Sequence, residues 1–242
     1  MRQAKRLPKQ QPPPVQRIRL RYTKQGRARY ASHQDFARAF ERALRRADVP
    51  MAYSSGFTPH PRISYQNAVP TSVMSLAEYL EIGLQAPVDP DTLQDSLNAV
   101  LPAGFQITKA GVAAKTPLTE SLTHSLWAIE WETDRLDAAV AALIGSESVV
   151  VERMGKRGLG EFDIRPAVVG IEVCAELPGL HAVTMNTTPT LRPADIVKGM
   201  QQIEPTLSGS DYVAATRLAQ GIWVTGVVLD SLTTEMSIWQ AD

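Results

Sequence analysis

Arginine and histidine side chains crowd one stretch of this chain, Gly26 to Arg62, which reads GRARYASHQDFARAFERALRRADVPMAYSSGFTPHPR and holds seven arginines and two histidines. Guanidiniums recognise phosphates, and imidazoles exchange protons near neutral pH. The stretch therefore reads as a charged binding surface. His33 and His60, if they meet near Arg45 and Arg46, would supply proton transfer and the positive charge that metal-free RNA cleavage requires. The alternative for His33 is a plain place in a helix cap.

The element that positions these groups is a helix. Ser32 followed three residues later by Asp35 forms a capping box, so a helix is predicted to begin near His33. Phe36, Phe40, Ala43, Leu44 and Ala47 recur at helical spacing and make one apolar stripe. Arg38, Arg42, Arg45 and Arg46 fall on the opposite side, offset from Arg38 onward by Glu41 and Asp48 alone. Like charges so close repel by a few tenths of a kcal/mol per pair, about 0.3. Either an anion lies across them or they form a solvated polar face. The loop that follows contains Gly56, Pro59 and Pro61, which restrict the backbone around Phe57 and His60. It either presents that ring and imidazole outward or plugs the core with Phe57.

The flanking sequence alternates. Ile18, Leu20 and Tyr22 oppose Arg17, Arg19 and Arg21, the signature of a half-buried strand. A short strand is predicted around Ile63 to Asn67, then Glu78 to Leu84 with Leu80, Ile82 and Leu84 inward and Tyr79 and Glu81 outward. Asp89 and Pro90 open a second helix carrying Leu93, Leu97, Val100 and Leu101. Phe105 to Val112 closes a β-α-β-β-α-β order, the ferredoxin-like pattern. If the apolar side of the first strand faces the helices, its arginines line the far face beside Tyr79 and Glu81. That face would either hold single-stranded RNA by phosphate contacts and stacking or pack on the acidic second half.

A loop over 113–124 leads to what reads as a second round: a strand over Leu126 to Glu132, a helix from Arg135 to Ile144, strands at Val149 to Val151, Val168 to Val173 and His181 to Met185, a helix opened by Pro193, and a strand over Val213 to Leu218. The surplus strand predicts an inserted hairpin around Arg153 to Arg165. The expected fold is α+β, with two ferredoxin-like (βαββαβ) units in tandem, the second with that hairpin. The expected domains are a basic, proline-rich disordered tail over 1–16, a basic unit over 17–112, a second unit over 125–229 and a C-terminal tail over 230–242. In GEFDIRP, Asp163 and Arg165 point the same way from a strand, either as an ion pair or with Arg165 joining Lys156 and Arg157 in a phosphate-binding surface. Gly155, Gly158 and Gly160 lack the strand and helix context of a phosphate loop and read as a hairpin tip.

Composition sets bounds. The 242 residues are 44% hydrophobic and carry 25 basic and 25 acidic side chains, enough for a sizeable core. The zero net charge conceals an asymmetry: residues 1–66 hold 15 Lys+Arg against 3 Asp+Glu, a net +12, whereas residues 67–150 and 151–242 are net −8 and −4. Such a basic end suits an anionic partner or the acidic remainder of the chain. Cys174 is the only cysteine, which excludes a disulfide, a zinc set or an iron–sulfur motif within the chain and suggests a cytoplasmic setting. No apolar run approaches the ~18 residues of a membrane span, and the N-terminus lacks a secretory signal.

Three segments, RYTKQGRARYASHQDFARAFERALRRADVPMAYSSGFTPHPRISY, AEYLEIGL and EFDIRP, together resemble the radical-SAM-linked family of proteins, over roughly Arg17 to Arg165. Its members are encoded beside, or fused to, a cobalamin-binding-type radical SAM protein. The resemblance implicates Tyr30, Ser32, His33, Arg42, Arg45, Arg46, Tyr53, Gly56, Phe57, Pro59, His60, Pro61, Glu78, Tyr79, Asp163, Arg165 and Pro166. The chain departs from the family pattern at Thr71, Ser72 and Met74, where relatives tend to have a glycine and an acidic residue. A more distant likeness is to the RAMP group of ferredoxin-like RNA-binding proteins, some of which cut RNA.

Together these readings predict an RNA-binding accessory protein that presents tRNA or rRNA to a radical SAM partner, with no cofactor or metal of its own. The expected nucleic-acid-binding residues are Arg29, Tyr30, Ser32, His33, Arg38, Arg42, Arg45, Arg46, Gly56, Phe57, His60, Arg62 and Arg165. The alternatives are a metal-free endoribonuclease using His33 and His60, and a protein adaptor that docks on the radical SAM partner without RNA.

Overall fold

The computed structural model describes residues 10–133, 135–155, 158–174, 178–207, 212–224, 226–230, 232 and 236–238. The protein is mixed α+β, with mostly antiparallel sheet and few helices. It divides into two compact units. The first runs to Thr71 and resumes over Glu78–Leu118, and the second takes Ser72–Ala77 and resumes at Thr119.

The first unit contains β1 (Gln16–Lys24), α1 (His33–Arg46), β2 (Ile63–Gln66), the part of β3 (Met74–Leu84) from Glu78 onward, α2 (Pro90–Asn98) and β4 (Phe105–Val112). Its strands lie in the order β4-β1-β3-β2, with β1 antiparallel to β4 and β2 antiparallel to β3. The alternation in β1 sends Ile18, Leu20 and Tyr22 into one core with Phe36, Phe40, Ala43 and Leu44 of α1, Leu93 and Leu97 of α2, and Leu80, Ile82 and Leu84 of β3. Asp89 caps α2 through Thr92 N–H at 2.9 Å, and Pro90 stands in its first turn.

The opposite face of β1 is not the open basic surface that alternation alone suggests. Arg17 Nη1 and Arg19 Nε donate to the two carboxylate oxygens of Glu81 at 3.1 and 3.0 Å. Arg19 is only 3% exposed, and its Nη2 also donates to the carbonyls of Ala114 and Thr116. Tyr79 is 1% exposed. A guanidinium can be buried only when its charge and its N–H groups are satisfied, and Glu81 with the two carbonyls meets that condition. Tyr79 therefore offers no exposed ring for stacking there.

A single helical turn, α3 (Leu118–Ser121), interrupts the expected 113–124 loop. The second unit then contains β5 (His124–Trp131), α4 (Leu136–Gly145), β6 (Val150–Gly155), β7 (Gly158–Asp163), β8 (Val168–Val173), β9 (Gly179–Met185), α5 (Pro193–Ile203), β10 (Tyr212–Val224), β11 (Val227–Asp230) and β12 (Met236–Ile238). The main order is β10-β5-β9-β8, while β6 and β7 pair only with each other as a hairpin. Leu136, Ala139 and Leu143 of α4 and Ile196, Val197 and Met200 of α5 are buried.

Within 230–242, expected as a C-terminal tail, Met236–Ile238 forms β12, whose Met236 pairs with Leu229 of β11. β3 begins at Met74 rather than Glu78, because Met74 and Ser75 pair in parallel with Thr216 and Arg217 of β10. Ser75 Oγ accepts from Arg217 Nε at 3.4 Å, and the Ala77 carbonyl accepts from Gln220 Nε2 at 2.7 Å. Just before β3, Ser72 adopts φ 75°, a conformation that glycine takes without steric cost.

Replacing Glu81 by Gln leaves the buried Arg19 charge without a counter-ion and is expected to destabilise the protein by ~3 kcal/mol, measured by urea denaturation. Ser32→Ala removes the α1 cap and should cost ~1 kcal/mol. Because the folded Asp35 carboxyl titrates below its ordinary value, its contribution is fully present above the unfolded value of ~3.9 and is lost as pH falls through the lower folded one. The Ser32→Ala deficit should therefore shrink on strong acidification.

Candidate nucleic-acid interface

The face of α1 that meets solvent is set by the face that does not. At its start, Ser32 Oγ accepts from Asp35 N–H at 3.1 Å, and the Asp35 carboxylate accepts from Ser32 N–H at 3.1 Å and from Ser32 Oγ–H at 2.7 Å. The Ser32 hydroxyl and then its backbone N–H hold the Asp35 carboxyl below the usual carboxylate range, with a smaller contribution from Arg38. Phe36 stacks on Tyr22 with ring centroids 4.3 Å apart and also touches Phe40 and Phe105. With Phe36, Ala39, Phe40, Ala43 and Leu44 buried, the helix has no freedom to rotate.

Arg38, Arg42, Arg45 and Arg46 consequently all project to solvent. At 3.6 residues per turn they occupy an arc of about 100° and extend over about 12 Å of the helix axis. Glu41 approaches Arg45 at 3.8 Å, a contact between side chains 38% and 62% exposed. Such an exposed pair contributes ~0.3 kcal/mol. Among the described residues no carboxylate lies within 4 Å of Arg38, Arg42 or Arg46, and Asp48 reaches none of the four.

Beyond the helix, the chain closes a small ring. Ser54 N–H donates to the His60 carbonyl at 2.8 Å, and His60 N–H donates to Ser54 Oγ at 3.0 Å. Tyr53 bridges to Pro61, and Arg62 Nε donates to the Tyr53 carbonyl at 3.1 Å. Gly56 sits at φ 134°, which other residues rarely adopt, and a Cβ there would touch nothing within 4 Å. Phe57, which could have plugged the core, is 79% exposed. Burying it would be worth ~2 kcal/mol, so the ring holds an apolar side chain in water against its own preference. Ser54, whose hydroxyl closes this ring, lies outside the expected residue set. The signal for it was the ordinary tendency of serine to bond to nearby backbone in turns.

The expected site residues separate into two groups. His33 begins α1 and its ring meets Tyr65 edge-on at 4.8 Å. Burial, and less strongly Glu41, raise the Tyr65 phenol above its ordinary range, and its hydroxyl is buried without a partner. Tyr30, with Arg29 over its ring at 4.8 Å and bonded to its hydroxyl at 2.6 Å, belongs to the same end. Arg45 and Arg46 stand some 18 Å away along the helix axis. His60 is held through its backbone in the Ser54 ring, whereas the ring contact of His33 is with Tyr65. Arg45, Arg46, Gly56, Phe57, His60 and Arg62 all lie in the last turn of α1 and the loop that follows it.

Arg165, in the second unit, is engaged otherwise. Its Nη1 and Nη2 donate to the carbonyls of Val168 and Ile144 at 3.0 and 3.1 Å, and its Nε is buried without a partner. It makes no ion pair with Asp163 within 4 Å. Asp163 Oδ1 instead accepts from Val149 N–H and Arg165 N–H at 2.9 and 3.0 Å. Burial pushes the Asp163 carboxyl up, but these bonds, one from Ser148 and the smaller effect of the Arg165 charge outweigh it, so it ends below its usual value. Lys156 and Arg157, the proposed extension of a phosphate surface, lie outside the described residues. Among the described residues no cluster of three or more His, Cys, Asp and Glu side chains could hold a metal ion, and no helix is long and apolar enough to cross a membrane.

Fold and surface thus define an α+β protein with a basic helical face. The chain belongs to the bacterial family described as "Uncharacterized protein conserved in bacteria (DUF2344)", whose model matches residues 17–193. That span includes α1, the Phe57 loop and Arg165. No curated protein is significantly similar to the chain. One solved structure similar to it is the "Crystal Structure of an Unknown Protein from Galdieria sulphuraria", 14% identical, covering 86% of this chain and 99% of that one, with a TM-score of 0.26. At that score the likeness carries no argument.

Ser54→Ala removes the hydroxyl that closes the ring. Limited chymotrypsin digestion should then cut after Phe57 several-fold faster than in the wild type, because cleavage requires the loop to open.

Proposed function

We propose that this protein is an RNA-binding accessory protein that holds a tRNA or rRNA segment for a radical SAM partner in the cytoplasm. The observation that carries the reading is the outer face of α1, where four exposed guanidiniums on one arc have, among the described residues, a single weak carboxylate contact. A row of fixed positive charge attracts a polyanion strongly because binding releases the counterions condensed on its phosphates. The radical SAM partner rests on the family resemblance.

The scaffold is read as two ferredoxin-like units in tandem, the second with an inserted hairpin. Support comes from the element order β-α-β-β-α-β in each unit, with β6–β7 and the trailing β11 and β12 of the second unit set aside, and from matching strand orders: β4-β1-β3-β2, and β10-β5-β9-β8. In both, the first strand lies between the last and the third. RAMP-type RNA binding is a matter of analogy, since fold does not fix function.

Titration of the purified chain with total bacterial tRNA and with rRNA fragments at several salt concentrations tests the proposal. Four phosphate contacts predict a slope of log K against log salt of about −3 to −4. Arg45→Glu combined with Arg46→Glu should weaken binding at least ~10-fold and flatten the slope by ~2. Absence of binding at low salt, or indifference to the double substitution, would sink the RNA reading. A radical SAM protein that copurifies after nuclease treatment, together with no RNA affinity, would establish the adaptor role instead.

A further inference from the structure

Resting on the RNA reading, we infer that the ligand is RNA carrying an unpaired base beside its paired backbone, and that Phe57 is the platform on which this base stacks. Among the described residues Phe57 is the most exposed of the large apolar side chains. Its loop is not loose. The ring is closed by the two Ser54–His60 bonds, fastened by Arg62 to Tyr53, and tied from outside by Gln11 N–H to Ser55 Oγ at 2.9 Å. An aromatic side chain held rigid and bare loses little entropy when a flat partner covers it.

The chemistry around the ring selects the partner. From Val49 to Ala77 the chain contains no Asp or Glu. His60 and Arg62 share the Phe57 loop, which leaves the helix end that carries Arg45 and Arg46. An aromatic platform in a loop that carries Arg62 and no carboxylate of its own, at the helix end bearing Arg45 and Arg46, suits bases and phosphates rather than an ordinary protein patch. An uninterrupted A-form duplex shows no base face along its length and has a major groove too deep and narrow to enter, so an isolated Phe gains nothing from it. A hairpin loop or bulge offers a free base face next to a dense row of phosphates for the α1 arginines.

The test compares a blunt RNA duplex with a hairpin of the same stem closed by an unpaired loop, using fluorescence anisotropy on the full chain. The wild type should prefer the hairpin, and Phe57→Ala should lose ~10-fold for the hairpin while keeping its duplex affinity. Phe57→Trp should retain the preference, and Phe57→Leu, apolar without a π-face, should not. Arg45→Glu with Arg46→Glu should weaken both ligands. Since Phe57 contributes nothing to the core, all Phe57 variants should melt with the wild type, which a thermal scan verifies. Equal wild-type affinity for the two RNAs, or a Phe57→Ala variant with unchanged hairpin affinity, overturns the stacking and leaves the RNA reading standing. Binding of neither RNA overturns both. Loss of a copurifying protein from Phe57→Ala, with both RNA affinities intact, assigns the loop to protein docking and overturns the inference.

Discussion

Everything on the basic surface depends on how α1 is clamped to its sheet. The Tyr22–Phe36 stack, the neighbouring rings of Phe40 and Phe105, and the small Ala39 and Ala43 set the rotation of the helix about its axis. The Ser32–Asp35 box sets where it starts. With rotation and start both determined, Arg38, Arg42, Arg45 and Arg46 cannot turn toward any carboxylate of the core. Apolar burial here does electrostatic work, because it keeps like charges side by side that would otherwise move apart.

Six arginines of the first third consequently form two populations with different physics. On β1, Arg17 and Arg19 converge on one carboxylate, and Arg19 completes its hydrogen bonding with main-chain carbonyls. Those charges are internal to the unit and hold its far face together. On α1 the charges stay in water, where solvent and salt screen them until a polyanion replaces the counterions. Net charge alone could not separate these populations, since both contribute to the same +12.

Around the helix, the loop completes a division of labour. Backbone and serine hydrogen bonds stiffen the segment between Tyr53 and Arg62, while Gly56 supplies the one turn that other residues resist. Rigidity built from main-chain bonds leaves the side chains at its tip unengaged, which is why Phe57 can stand in solvent. At the other end of the helix, His33 is occupied by Tyr65.

What was legible in the sequence was local. The α1 stripe and its cap, the Asp89–Pro90 opening of α2, the alternation of β1 and the limits of β4 and β8 are written in spacings of two, three and four residues, where the side chain and the backbone it organises are near neighbours. The early start of β3 and the strand β12 were not legible, because each exists only through a distant partner strand: β10 for the one and β11 for the other. The same holds for the site. Composition and periodicity determined that four arginines share one helical face. Only the tertiary structure decided that Glu81 neutralises the β1 arginines, that Arg165 is bound to backbone carbonyls, that His33 meets Tyr65 and that Phe57 is bare. Each of those outcomes depends on which groups meet after the chain has closed, and a linear pattern does not encode that meeting.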